Sequence, residues 1–69
     1  MIDKKEIEDL GFTHLGSRWW KNEDDSIRIR QWKGNEIDIY RWINDEDNQI
    51  HFRGGLIDIN ELKWVLERI

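Results

Sequence analysis

The sequence predicts an α+β fold of order αββββα, a four-stranded antiparallel meander with both helices packed on one face of the sheet. Three observations predict it. Isoleucines alternate with polar and aromatic residues through the middle of the chain, in the period of a half-buried strand. Each end carries a helix-capping residue followed by apolar residues at helical spacing. The strands also follow one another through short loops, which favours pairing in sequence order.

Asp3 to Leu10 reads as a short helix, with Asp3 as N-cap, Glu6 three residues on, and Ile7 and Leu10 sharing a face. Gly11 suits the position after the C-cap, and Phe12 supplies the apolar contact that follows such a cap. The first strand lies within Phe12 to Lys21, bent at Gly16. The second is Ser26 to Trp32, the third Glu36 to Ile43, and the fourth Gln49 to Arg53. Ile27, Ile29, Ile37, Ile39, Ile50 and Phe52 fall on one face by alternation; Arg28, Arg30, Trp32, Asp38, Tyr40, Trp42, His51 and Arg53 fall on the other. In the closing helix Asp58 is the N-cap with Glu61 in the capping box, and Ile57 staples onto Leu62. Leu62, Val65, Leu66 and Ile69 form its apolar stripe.

Pairing must set isoleucine opposite isoleucine, because a slip of one residue turns the core outward. With Lys33-Gly34-Asn35 as a turn and Gly34 or Asn35 at positive φ, Ile29 faces Ile39 and Arg30 faces Asp38. A loop from Asp45 to Asn48 sets Ile43 against Ile50, Trp42 against His51 and Tyr40 against Arg53. A loop from Asn22 to Asp25 sets Trp20 beside Ile27 in the core and Trp19 beside Arg28 outside. One row across the open face then reads Trp19, Arg28, Tyr40, Arg53, in which cations and aromatics stack. That row is either a solvated face decorated by such pairs or a binding platform, since aromatics stack bases while arginines meet phosphates.

Sixty-nine residues make a single domain, near the lower limit for a core without staples. Cysteine is absent, which excludes disulfides and thiolate zinc sites, so the five tryptophans carry much of the packing. The charged start, Met1-Ile2-Asp3-Lys4-Lys5-Glu6, is not a signal peptide, and no apolar run is long enough to span a membrane; the expected location is cytoplasmic. A formal charge of −4 weighs against non-specific nucleic-acid binding while leaving room for a small phosphorylated ligand in a local basic pocket.

Three other features call for an explanation. Trp64 sits about 200° round the helix from Leu62, where it serves an interface or lies along Asn60 and Glu67. Arg41 falls by parity on the isoleucine face opposite Phe52, so either a bulge or snorkelling carries it outward, or it reaches a carboxylate or a bound anion. Glu23-Asp24-Asp25 and Asp45-Glu46-Asp47 lie in turns at one end of the meander, as a solvated pole or as an acidic knob for a basic protein surface; neither run has the Gly-containing loop of an EF-hand.

No catalytic or metal motif is present, and no cofactor is expected. His51 beside Trp42 reads as a surface partner, and Gly54-Gly55 before a helix is a weak anion signal. The helix–four strands–helix plan, the segments Trp19-Trp20 and Ile27-Arg28-Ile29-Arg30-Gln31-Trp32, and the ending from Phe52-Arg53-Gly54-Gly55 to Asn60-Glu61-Leu62 resemble small phage-encoded proteins that disarm bacterial defences. That resemblance implies an oligomer sequestering a nucleotide signal, or an acidic blocker of a protein's nucleic-acid site. It assigns no residue a role. The expected function is a non-enzymatic, homo-oligomeric binding protein that takes a small anionic ligand such as a signalling nucleotide through Trp19, Arg28, Arg30, Tyr40, Arg41, Trp42, His51 and Arg53, with Trp64 at an interface. The alternatives are an inhibitor of a host protein, acting through the acidic loops or Trp64, and a structural protein without a ligand.

Overall fold

The computed structural model describes residues 2–43, 48–56 and 58–69. Its elements are α1 (Lys4–Asp9), β1 (Thr13–Gly16), β2 (Trp19–Lys21), β3 (Ile27–Gln31), β4 (Glu36–Arg41), β5 (Gln49–Gly55) and α2 (Ile59–Leu66). The strands form a five-stranded antiparallel sheet in sequence order, β1-β2-β3-β4-β5. The class and the meander agree with the sequence reading; the number of strands does not.

The extra strand comes from Phe12–Lys21, which is a hairpin and not one bent strand. Gly16 (φ +94°) and Ser17 (φ +51°) reverse the chain, and Thr13 and His14 pair back onto Lys21 and Trp20. The two loop residues are Ser17 and Arg18, while Gly16 ends β1 opposite Trp19 beside an irregularity after His14. At the β3–β4 turn it is Gly34 that takes positive φ, and Ile29 faces Ile39 as expected.

Both helices begin as their caps dictate. Asp3 accepts from the Glu6 backbone N–H at 3.0 Å while Glu6 Oε1 accepts from the Asp3 N–H at 3.2 Å, closing the capping box; Gly11 follows with φ +95°. Asp58 accepts from the N–H groups of Asn60 and Glu61 at 2.9 and 3.1 Å. Asp58→Ala is therefore expected to cost about 1 kcal/mol, typical of a lost N-cap; an unchanged urea midpoint would count against it. The proposed staple residue Ile57 lies outside the described residues.

The core joins Ile7 of α1 and Leu62 of α2 to Trp20, Ile29, Ile37 and Ile39 of the sheet, with Ile2, Phe12 and Leu56 closing it. The indole Nε1 of fully buried Trp20 donates to Gln31 Oε1 at 2.8 Å, so the ring is buried without an orphaned polar group.

Two registers differ from expectation. Trp20 pairs with Ile29 rather than Ile27, and Trp19 with Arg30 rather than Arg28. This two-residue shift keeps every side chain on its expected face, which is why alternation could not detect it. On the other side, Arg53 pairs with Asp38, not Tyr40, and a bulge follows: Phe52 faces Ile39, but Ile50 faces Tyr40. His51 is the extra residue and stands exposed, not opposite Trp42, while Ile50 turns out of the core and is 48 % exposed. Ile43 lies beyond the end of β4 and is exposed, so the Ile43–Ile50 pair does not form. Arg41 stands opposite Ile27 and Gln49 rather than Phe52, and is exposed at the end of the sheet. Of the two courses expected for it, Arg41 takes the outward one.

Candidate functional site

The face of the sheet turned away from the helices carries a layer of rings and guanidinium groups. Trp19 on β2 reaches across β3 to Tyr40, with ring centroids 5.2 Å apart, and to Trp42 at 5.7 Å; Tyr40 and Trp42 meet edge-on at 6.1 Å. The arginines of β3 flank this trio. The Arg28 guanidinium carbon lies 4.1 Å from the Trp42 centroid, and that of Arg30 lies 5.2 Å from Trp19 and 3.9 Å from Trp32. Alternation along β2, β3 and β4 delivers these residues to one face, and the antiparallel pairing sets cations among aromatics.

The organising residue is Asp38, which is 1 % exposed although it sits on this open face. Trp32 Nε1 donates to its Oδ2 at 2.9 Å, Tyr40 Oη donates to Oδ2 at 3.3 Å, and Arg53 Nε and Nη2 donate to Oδ1 and Oδ2 at 3.0 and 3.3 Å. Burial pushes the carboxyl upward, but the hydrogen bonds from Trp32 and Arg53, the Arg53 charge and the Tyr40 hydroxyl outweigh it and hold the group below its usual range. Sequence reading placed Asp38 on this face opposite Arg30 and gave it no role. The signal was present in the surrounding Trp, Tyr and Arg, all able to donate to a carboxylate.

The arginines divide into two sets. Arg53 is committed to Asp38, and Arg28 to Asp25 through Nε at 2.8 Å and Nη2 at 2.9 Å. The hydrogen bond from Arg28 keeps Asp25 ionised, below the usual carboxylate range. Arg18 and Arg30 make no ion pair among the described residues, and both approach Trp32, Arg18 at 5.6 Å. The Nε of Arg30 is buried and has no hydrogen-bond partner among the described residues. Arg18 is exposed in the β1–β2 hairpin, anchored by its carbonyl, which accepts from the Gln31 N–H at 2.9 Å. Sequence reading missed Arg18 because its place depends on the hairpin. Beside it, Leu15, Gly16, Ser17, Trp19, Arg28 and Trp42 line a shallow concavity of about 550 Å³.

Of the residues expected at the site, the structure gathers Trp19, Arg28, Arg30, Tyr40, Trp42 and Arg53 on this face. Arg41 and His51 are exposed, and among the described residues neither makes a ring or ion-pair contact with the cluster. Trp64 is 58 % exposed on α2, and the Arg68 guanidinium stacks on its ring.

The acidic run Glu23-Asp24-Asp25 is largely engaged in its own turn. Asp24 accepts from the Ser26 hydroxyl at 2.6 Å and from the Ser26 N–H at 3.1 Å, which lowers its pKa, and Asp25 holds Arg28. The second run, Asp45-Glu46-Asp47, lies outside the described residues. Among the described residues no cluster of metal-ligating side chains forms, and no helix is long and apolar enough to cross a membrane. No known protein family, curated protein or solved structure matches the chain.

Proposed function

We propose that this is a non-enzymatic, homo-oligomeric binding protein of the host cytoplasm, of the phage anti-defence kind, which sequesters a small anionic ligand, a nucleotide, on its open sheet face. The observation that carries the reading is the juxtaposition of the Trp19–Tyr40–Trp42 cluster with Arg18 and Arg30, cations that no carboxylate among the described residues neutralises. Stacking on an indole is worth roughly 1–3 kcal/mol per base and tolerates different bases, while a guanidinium takes phosphate in bidentate fashion. Arg28 and Arg53, each already bound to an aspartate, act in this reading as supports for Trp42 and the Asp38 network. The concavity beside Trp19 and Trp42 gives this face the partial enclosure that a small ligand requires.

Calorimetric titration against mono-, di- and cyclic nucleotides should show binding that quenches tryptophan fluorescence. Arg18→Ala is expected to weaken it by more than about 1 kcal/mol, the usual loss for a charged hydrogen bond. Trp19→Ala should weaken it comparably. Absence of binding by the intact protein, or binding indifferent to both changes, rules this face out.

A further inference from the structure

A groove lies on the other side of the molecule, between β5 and α2. Its apolar walls are Phe52, Leu56, Trp64 and Val65, and Gly55 leaves its floor open, since a Cβ there would meet nothing within 4 Å. Trp64, more than half exposed, stands on the rim of this groove instead of filling it. A large exposed ring beside an unfilled apolar groove is the form of an interface.

The charges along this flank of α2 and the turn that follows it identify the occupant. Glu61 lines the groove one turn before Trp64, and Arg68 lies one turn after it. Arg68 is already placed: its guanidinium carbon is 3.5 Å from the Trp64 ring centroid, and Nη1 donates to the Trp64 carbonyl at 2.8 Å. Its approach to Glu67 is 3.9 Å with both side chains exposed, a pairing too weak to occupy it. The flank therefore reads acidic, apolar, basic from its start to its end. Such a stripe is complementary to itself when turned end for end, as a two-fold axis requires.

Resting on the homo-oligomeric part of the reading above, we propose that two copies of this chain associate through α2 about a two-fold axis passing beside Trp64 and Val65. Each Trp64 enters the groove of the other copy, and Glu61 of one chain meets Arg68 of the second, twice by symmetry. The Arg–Glu pairs set the antiparallel direction, while the buried indoles supply most of the attraction.

Sedimentation velocity at micromolar concentration should find the intact protein dimeric. Glu61→Arg and Arg68→Glu, each placing like charges together twice, should sediment as folded monomers with unchanged far-ultraviolet circular dichroism. An equimolar mixture of the two variants should restore a dimer, because every clash then becomes an attraction. Trp64→Ala should also be monomeric. A monomeric intact protein, single reversals that stay dimeric, or a mixture that remains monomeric would each overturn the proposal. None of Arg18, Trp19 and Arg30 lies on α2, so nucleotide titration of the Trp64→Ala protein separates failure of this interface from failure of the ligand reading.

Discussion

Trp20→Ala is expected to remove most of the folded stability of this protein. The ring is fully buried, packs with Ile7, Ile29, Ile39 and Leu62 in the single core cluster, and meets His14 with centroids 4.5 Å apart. Truncating a buried tryptophan costs roughly 3–5 kcal/mol, through lost transfer energy and the cavity left behind. Domains are stabilised by roughly 0.05–0.15 kcal/mol per residue, which for 69 residues is about 3–10 kcal/mol in all, so this one loss takes half of it or more over most of that range. The Gln31 side chain, which accepts the indole proton, would also lose its partner. Urea unfolding followed by circular dichroism measures the effect. A variant retaining a cooperative transition near the wild-type midpoint would mean that the two helices close over the sheet without this ring. Trp20→Phe should fall between the two, because it restores apolar volume but not the hydrogen bond.

Asp38→Ala should cost about 2–3 kcal/mol, below the cost of breaking a fully buried ion pair because the Arg53 side chain is 63 % exposed and can return to water. Trp32 Nε1 and the Tyr40 hydroxyl have less freedom, and both would be left without the acceptor they share. Asp38→Asn is expected to cost less, about 1–2 kcal/mol, since the amide oxygen still accepts but its NH₂ group faces donors. The same carboxylate makes stability depend on pH. Its folded pKa is depressed, so its contribution is complete above the unfolded value of about 3.9 and is lost as pH falls from there through the folded value. Stability should therefore decline below about pH 4, and Asp38→Asn should flatten that decline relative to the wild type. Equal acid sensitivity in the two proteins would assign the loss to other carboxylates, Asp24 and Asp25 first, since both are also depressed. Because Asp38 holds Trp32 and Tyr40 together, its loss should also loosen the open face and weaken any ligand that stacks there.

The helices and the faces of the strands were legible in the residues because they rest on local rules. Asp3 and Asp58 are capping residues in sequence and caps in the structure, with partners three residues away or fewer. Alternation placed Ile29, Ile37 and Ile39 inside and Trp19, Arg28, Arg30 and Tyr40 outside because side-chain period is a property of the strand itself. The β1–β2 hairpin is local as well: Gly16 and Ser17 take positive φ, and the chain reverses over Ser17-Arg18 to make the fifth strand.

Register belonged to the tertiary structure. A slip of two residues conserves every face, so Trp19 opposite Arg30 and Trp19 opposite Arg28 satisfy the pattern equally, and packing of Trp20 on Ile29 selects between them. The β5 bulge at His51 likewise obeys no local rule. It lets Phe52 and Ile39 remain paired in the core while Ile50 leaves it. The burial of Asp38 was decided at the same level: alternation puts a carboxylate on the open face, and the Trp32, Tyr40 and Arg53 side chains, brought from the turn, β4 and β5, take it out of water. That is why Arg53 proved committed and Arg18 uncommitted among the described residues. A residue's face follows from its own strand, but its partners follow from which strands lie beside it and in what register.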